Sequence, residues 1–102
     1  MDTRELLKRM VEMGASDLHL QPPGKPVFRV DGCLVQQTDL PEFSPEDVER
    51  VFESITTEPE RNTFQCEQEL DFAYSVPELT RFRVNVLKQR GTLSLNFRFV
   101  PF

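Results

Sequence analysis

The stretch Arg81–Val100, RFRVNVLKQRGTLSLNFRFV, constrains the fold more than any other part of the chain. Apolar and polar residues alternate on both sides of Arg90-Gly91, which is the period-two signature of half-buried strands. The pattern predicts two antiparallel strands joined at that dipeptide. Phe82, Val84 and Val86 fall on one face with Leu93, Leu95, Phe97 and Phe99. Arg81, Arg83 and Asn85 fall on the other with Ser94, Asn96 and Arg98. A two-residue loop sets Val84 opposite Phe97, Val86 opposite Leu95 and Arg83 opposite Arg98. Arginines directly opposed across two strands repel. A sheet tolerates such a pair when an anion sits between the guanidinium groups or when carboxylates neutralise them. Glu69 and Asp71, on the polar face of the preceding strand, are the candidates for the second arrangement. Arg-Gly is not a favoured two-residue turn, and a bulged three-residue loop would break the register.

The rest of the chain supplies partners for this hairpin. Asp2 or Thr3 caps a first helix that Gly14 stops, with Leu6, Met10 and Met13 as its buried stripe and Leu7 and Val11 beside them. Ala15–Gln21 reads as a short strand with Leu18 and Leu20 on one face and Asp17 and His19 on the other. Asp31-Gly32 is a strong hairpin signal between Val27–Val30 and Cys33–Gln37. It sets Phe28 opposite Val35 and Val30 opposite Cys33, as one apolar face on which Cys33 is expected to be buried. Ser44-Pro45-Glu46-Asp47 opens a second helix along Val48, Val51, Phe52 and Ile55. Thr57 and Glu60 have capping-box spacing for a shorter third helix anchored by Phe64. Glu69–Val76 alternates again, with Leu70, Phe72, Tyr74 and Val76 facing in, so its link to Arg81 must be odd in length or bulged. The expected order, α-β-β-β-α-α-β-β-β, describes an α+β domain. Its mostly antiparallel sheet carries helices on one face, and the other face is polar and bears the arginines.

At 102 residues the chain is expected to form one domain. Its net charge of −5 argues against nucleic acid or an acidic membrane surface as the main partner. No apolar run approaches the ~18 residues that span a bilayer, and the charged amphipathic start MDTRELLKRM lacks the apolar region of a signal peptide. Two cysteines, Cys33 and Cys66, do not make a disulfide framework, and a reducing cytoplasm fits them. His19 has no Cys or His at metal-ligand spacing. Glu67, Glu69 and Asp71 offer three carboxylates on one side, for which neighbouring arginines give a simpler account than a hard metal. The Gly24-Lys25 pair is followed by Pro26 and is no Walker A motif. No nucleophile–base set is present, so the residues by themselves describe a small module with a basic spot on an acidic body.

Four motifs add a resemblance that covers nearly the whole chain. GASDLHL (Gly14–Leu20), PVFRVDG (Pro26–Gly32), ELDFAYSVP (Glu69–Pro77) and RFRVNVLKQRG (Arg81–Gly91) resemble, in the same order, the N-terminal domain of PilT-type type IV pilus retraction ATPases within the type II/IV secretion ATPase superfamily. The resemblance implies a PAS-like domain over residues 1–100. It also implies that Pro101-Phe102 begin a linker to a RecA-like ATPase domain bearing the Walker motifs. It further implies a homo-hexameric ring, ATP and Mg as cofactors of the full-length protein but none in this domain, and a place at the cytoplasmic face of the inner membrane beside a pilus platform protein. In related ATPases, N-terminal-domain arginines approach the γ-phosphate held by the C-terminal domain; the matching positions are Arg83 and Arg98. The polar face, with Asp71, Arg81, Asn85 and Asn96, is then the expected interface with the C-terminal domain of the adjacent subunit. The start of the chain thirteen residues before Gly14 favours the retraction type over secretion or pilus-extension ATPases. A free-standing PAS-like sensor is the alternative from another class; it needs an internal cavity with converging polar groups, and the inward positions here are nearly all Phe, Leu, Val and Ile.

Overall fold

The computed structural model describes residues 2–101; Met1 and Phe102, the latter expected in the start of the linker, lie outside the described residues. The elements follow the expected order: α1 (Thr3–Glu12), β1 (Ala15–Leu20), β2 (Val27–Val30), β3 (Cys33–Gln36), α2 (Pro45–Ile55), α3 (Glu58–Glu67), β4 (Glu69–Val76), β5 (Thr80–Gln89) and β6 (Thr92–Val100). The six strands form one sheet in the order β3-β2-β1-β6-β5-β4, antiparallel between all neighbours. The first strand therefore lies beside the last, and β3 and β4 are the edges.

The long hairpin adopts the expected register, with Val84 opposite Phe97 and Arg83 opposite Arg98. Arg90 and Gly91 both take positive φ, 54° and 79°, like Asp31 and Gly32 at 50° and 80°. Arg-Gly thus makes the same left-handed two-residue turn as Asp-Gly, because that turn matches the twist of the strands it joins. Between β4 and β5 the three residues Pro77-Glu78-Leu79 form the odd connection that the alternation demands, so Leu70, Phe72 and Tyr74 share a face with Val86, Val84 and Phe82.

The helices begin at the residues that can satisfy their free N–H groups. Asp2 Oδ1 accepts from the Glu5 N–H at 2.8 Å. Ser44 with Asp47, and Thr57 with Glu60, form reciprocal capping boxes. Arg61 closes the far end of α2 by donating to the Thr56 carbonyl at 2.7 Å. α1 packs on β1, α2 on β6 and α3 on β4, and the core between these layers is apolar: Leu6, Leu7, Met10, Leu18, Phe28, Val48, Phe52, Phe82, Val84, Leu95 and Phe97 are buried.

Three burial expectations are corrected. Cys33 is exposed and Val35 is 39% exposed. Both face the intended side in the expected register, but β3 is the sheet edge, and no helix packs against it as α1 packs on β1. Met13 is exposed because α1 ends at Glu12, which leaves Met13 as the cap. Leu70, Phe72 and Tyr74 are only half-buried, since β4 is the opposite edge.

Candidate functional site

The open face of the sheet is organised in two rows that cross four or five strands. Both rows depend on a bulge at Ser16. Ala15 pairs with Val30, whereas Asp17 pairs with Arg29, so one residue of β1 is unmatched. The extra residue keeps Ala15 in the core and turns Asp17 to the polar face.

The first row reads Arg29, Asp17, Arg98, Arg83, Ala73 from β2 to β4. Arg98 Nε donates to Asp17 Oδ1 at 3.1 Å, and Arg29 Nε lies 3.9 Å from Asp17 Oδ2. The Ser16 hydroxyl donates to the same Oδ2 at 2.7 Å. Asp17 is buried, at 8% exposure, while the Arg98 side chain is 72% exposed. Burial pushes the Asp17 carboxyl up, but the Ser16 hydroxyl and the Arg98 guanidinium outweigh it and hold the pKa below the ordinary carboxylate value. Arg83 makes no ion pair among the described residues.

The second row reads His19, Asn96, Asn85, Asp71. His19 Nδ1 lies 2.6 Å from Asn96 Oδ1 and donates to it; Asn85 Nδ2 donates to Asp71 Oδ1 at 3.2 Å. His19 Nε2 is buried with no hydrogen-bond partner among the described residues. Together the rows line a shallow depression of about 410 Å³ that contains Asp17, His19, Asp71, Arg83, Asn85, Asn96 and Arg98.

Five of the six residues expected at the site are therefore together. Arg81 is not: it pairs with Ser75 and Val100 near the start of β5 and lies outside the depression. The carboxylates expected to neutralise the arginines are also different. Asp71 is engaged by Asn85, Glu69 sits opposite Leu87, and it is Asp17 that holds Arg98. Glu67, Glu69 and Asp71 do not converge on a metal position, and no arginine pairs with them among the described residues. Asp17 and His19 are the residues that sequence reasoning left out of the site. Their alternation placed them on the polar face, but nothing in the chain order says that β1 lies against β6.

Chemically, the face offers Arg83 without a carboxylate, Arg98 held by a single nitrogen and Arg29 on the far side of the same carboxylate, with two amides between histidine and aspartate. It can bind an anion by two guanidinium groups and hydrogen-bond a polar surface around it.

No protein-family model matches the chain. The type IV pilus retraction ATPase PilT of Pseudomonas aeruginosa is 38% identical over 101 residues, which is 99% of this chain and 29% of that protein. The type IV pilus ATPase PilU of the same organism is 33% identical over 96% of this chain and 25% of its own length. Thus the chain spans between a quarter and a third of these relatives. Among solved structures, the pilus retraction motor PilT with bound ADP superimposes with a TM-score of 0.92 at 34% identity, over 99% of this chain and 29% of that one. The ATPase DotB of Legionella pneumophila shares the fold at a TM-score of 0.79 and 21% identity, over 96% of this chain and 28% of that one.

The fold, at a TM-score of 0.92 and 34% identity, is the one found in the N-terminal domain of the pilus retraction motor PilT. In sequence as well as fold, the chain matches the PilT-type ATPase over nearly its whole length. Among the described residues, no helix is long and apolar enough to cross a membrane.

Proposed function

We propose that this domain is the regulatory and docking part of a type IV pilus retraction ATPase. On a PAS-like scaffold, its polar face packs on the RecA-like domain of the adjacent subunit in a homo-hexameric ring. Arg83 and Arg98 meet the γ-phosphate of the MgATP bound there. The motor works at the cytoplasmic face of the inner membrane against a pilus platform protein. The observation that carries the reading is the face-to-face arginine pair, in a chain 38% identical to PilT over nearly its whole length. Two like charges in register are costly without an anion, and the carboxylate beside them engages Arg98 and Arg29 but not Arg83. The unpartnered His19 Nε2 supports an interface, because a buried nitrogen left without a partner in a free domain is satisfied when another surface covers it.

The interface is tested by crowding it. Asp71→Trp or Asn85→Trp in the intact ATPase should loosen hexamers seen by light scattering. The domain's own melting temperature should change little, since both side chains lie on the open face. Intact hexamers in both variants would assign the interface to another surface.

The nucleotide is tested on the domain alone. With no Walker A motif and a net charge of −5, the 102-residue chain should neither hydrolyse ATP nor bind it tightly, because the body repels a polyanion. Calorimetric titration with MgATP should show no micromolar site. Such a site would mean that the domain carries its own nucleotide pocket, against the shared-site reading.

A further inference from the structure

We infer that Asp17 is the positioning residue for Arg98: it holds the guanidinium by Nε and so presents the terminal nitrogens, beside Arg83, to the incoming phosphate. The inference rests on the reading that the arginine pair meets a phosphate.

A guanidinium carries five N–H donors, one on Nε and four on the two terminal nitrogens. Asp17 Oδ1 takes the single Nε donor, at 3.1 Å. The other carboxylate oxygen is occupied by the Ser16 hydroxyl at 2.7 Å. Both ends of the carboxylate are therefore fixed, and the residue itself is buried. The arginine it holds is mostly exposed. The fixed end of the pair lies in the sheet and the free end lies in solvent, on the strand position opposite Arg83. The Ser16 bulge makes this possible, since without it Asp17 would share the face of Ala15.

Lysine does not reproduce the arrangement. Its ammonium is a compact point charge, so Asp17 and the phosphate compete for one group. Removing the Asp17 charge should therefore harm the arginine protein and relieve the lysine protein. A role limited to neutralising charge or stabilising the fold predicts the same direction of effect in both backgrounds.

The experiment measures kcat and KM for MgATP in the intact ATPase as wild type, Asp17→Asn, Arg98→Lys, the double variant and Arg98→Ala. Asp17→Asn should lower kcat about ten- to a hundredfold, on the scale of a misplaced catalytic contact, with KM little changed. The double variant should turn over at least as fast as Arg98→Lys alone. Wild-type turnover in Asp17→Asn, or losses that multiply in the double variant, would overturn the inference. A defective Arg98→Ala beside a normal Asp17→Asn removes this inference and leaves the phosphate reading standing; a normal Arg98→Ala removes the phosphate reading. A measurement on the unmodified 102-residue chain does not depend on whether the variants fold. By NMR, the Arg98 Nε–H should exchange with solvent more slowly than the Arg83 Nε–H. Equal exchange rates would overturn the anchor.

Discussion

Replacing Arg83 or Arg98 with alanine is expected to lower the ATPase rate of the intact protein by roughly ten- to a thousandfold, the scale of one lost transition-state donor. Arginine fingers in other ATPases and GTPases contribute about 10³–10⁵. A smaller effect is expected here because, on the proposed function, these arginines sit on a domain that must first dock. The two side chains stand opposite each other across β5 and β6. The two like charges therefore repel, and an anion between them relieves the repulsion. Arg83→Lys keeps the charge and loses the planar fork, so it should fall between wild type and alanine. Thermal melts of the 102-residue chain separate function from folding. Arg83→Ala should leave the melting temperature nearly unchanged, because it removes a repulsion and, among the described residues, no ion pair. Arg98→Ala should cost about 1–3 kcal/mol, because it strips a hydrogen bond from the buried Asp17 carboxylate. Normal turnover in either alanine variant would remove the reading that the arginine pair meets the phosphate. A collapse of the domain on Arg83→Ala would show that this arginine is structural.

What could be read from the chain order follows from how local each signal is. The two tight hairpins, the odd β4–β5 link and all three helix starts depend on residues within a few positions of one another. Arg83 against Arg98 belongs to this group, since it needs only the turn at Arg90-Gly91. The Asp17–Arg98 contact spans 81 positions and rests on β1 inserting beside β6. No alternation pattern encodes that choice, because β1 would bury Leu18 and Leu20 equally well at another position in the sheet. The substitution of Asp17 for Glu69 and Asp71 as the neutralising carboxylate follows directly from this unreadable neighbour. Edges were hidden for the same reason. Val35 and Phe28 look alike in sequence and pair across β2 and β3, yet only Phe28 lies under the helices, and this depends on the order of all six strands.

That difference sets the largest expected stability effect. Phe97 is fully buried on β6, between Leu18 of β1 and Val84 of β5. Its ring meets Phe82 edge to face, with centroids 6.4 Å apart. α2 covers this strand, so the surroundings have little freedom to collapse into a space left by the ring. Phe97→Ala should cost about 3–5 kcal/mol. A domain of this size has only about 5–15 kcal/mol in total, so the variant loses a large part of its stability. At roughly 4–8 °C per kcal/mol, its melting temperature should fall by tens of degrees. Val35→Ala is the control, being apolar, β-branched and in a hairpin, but at an exposed edge. It should cost no more than about 1 kcal/mol, the span of strand propensity. Urea unfolding of the 102-residue chain measures both at one temperature. Similar losses in the two variants would mean that β3 is covered in solution and that the sheet has no free edge there. A loss below about 0.5 kcal/mol for Phe97→Ala, within the range of ordinary surface changes, would place the centre of the core away from β6. The same strand carries Phe97 inward and Arg98 outward, so the packing that resists Phe97→Ala is also what holds Arg98 in register with Arg83.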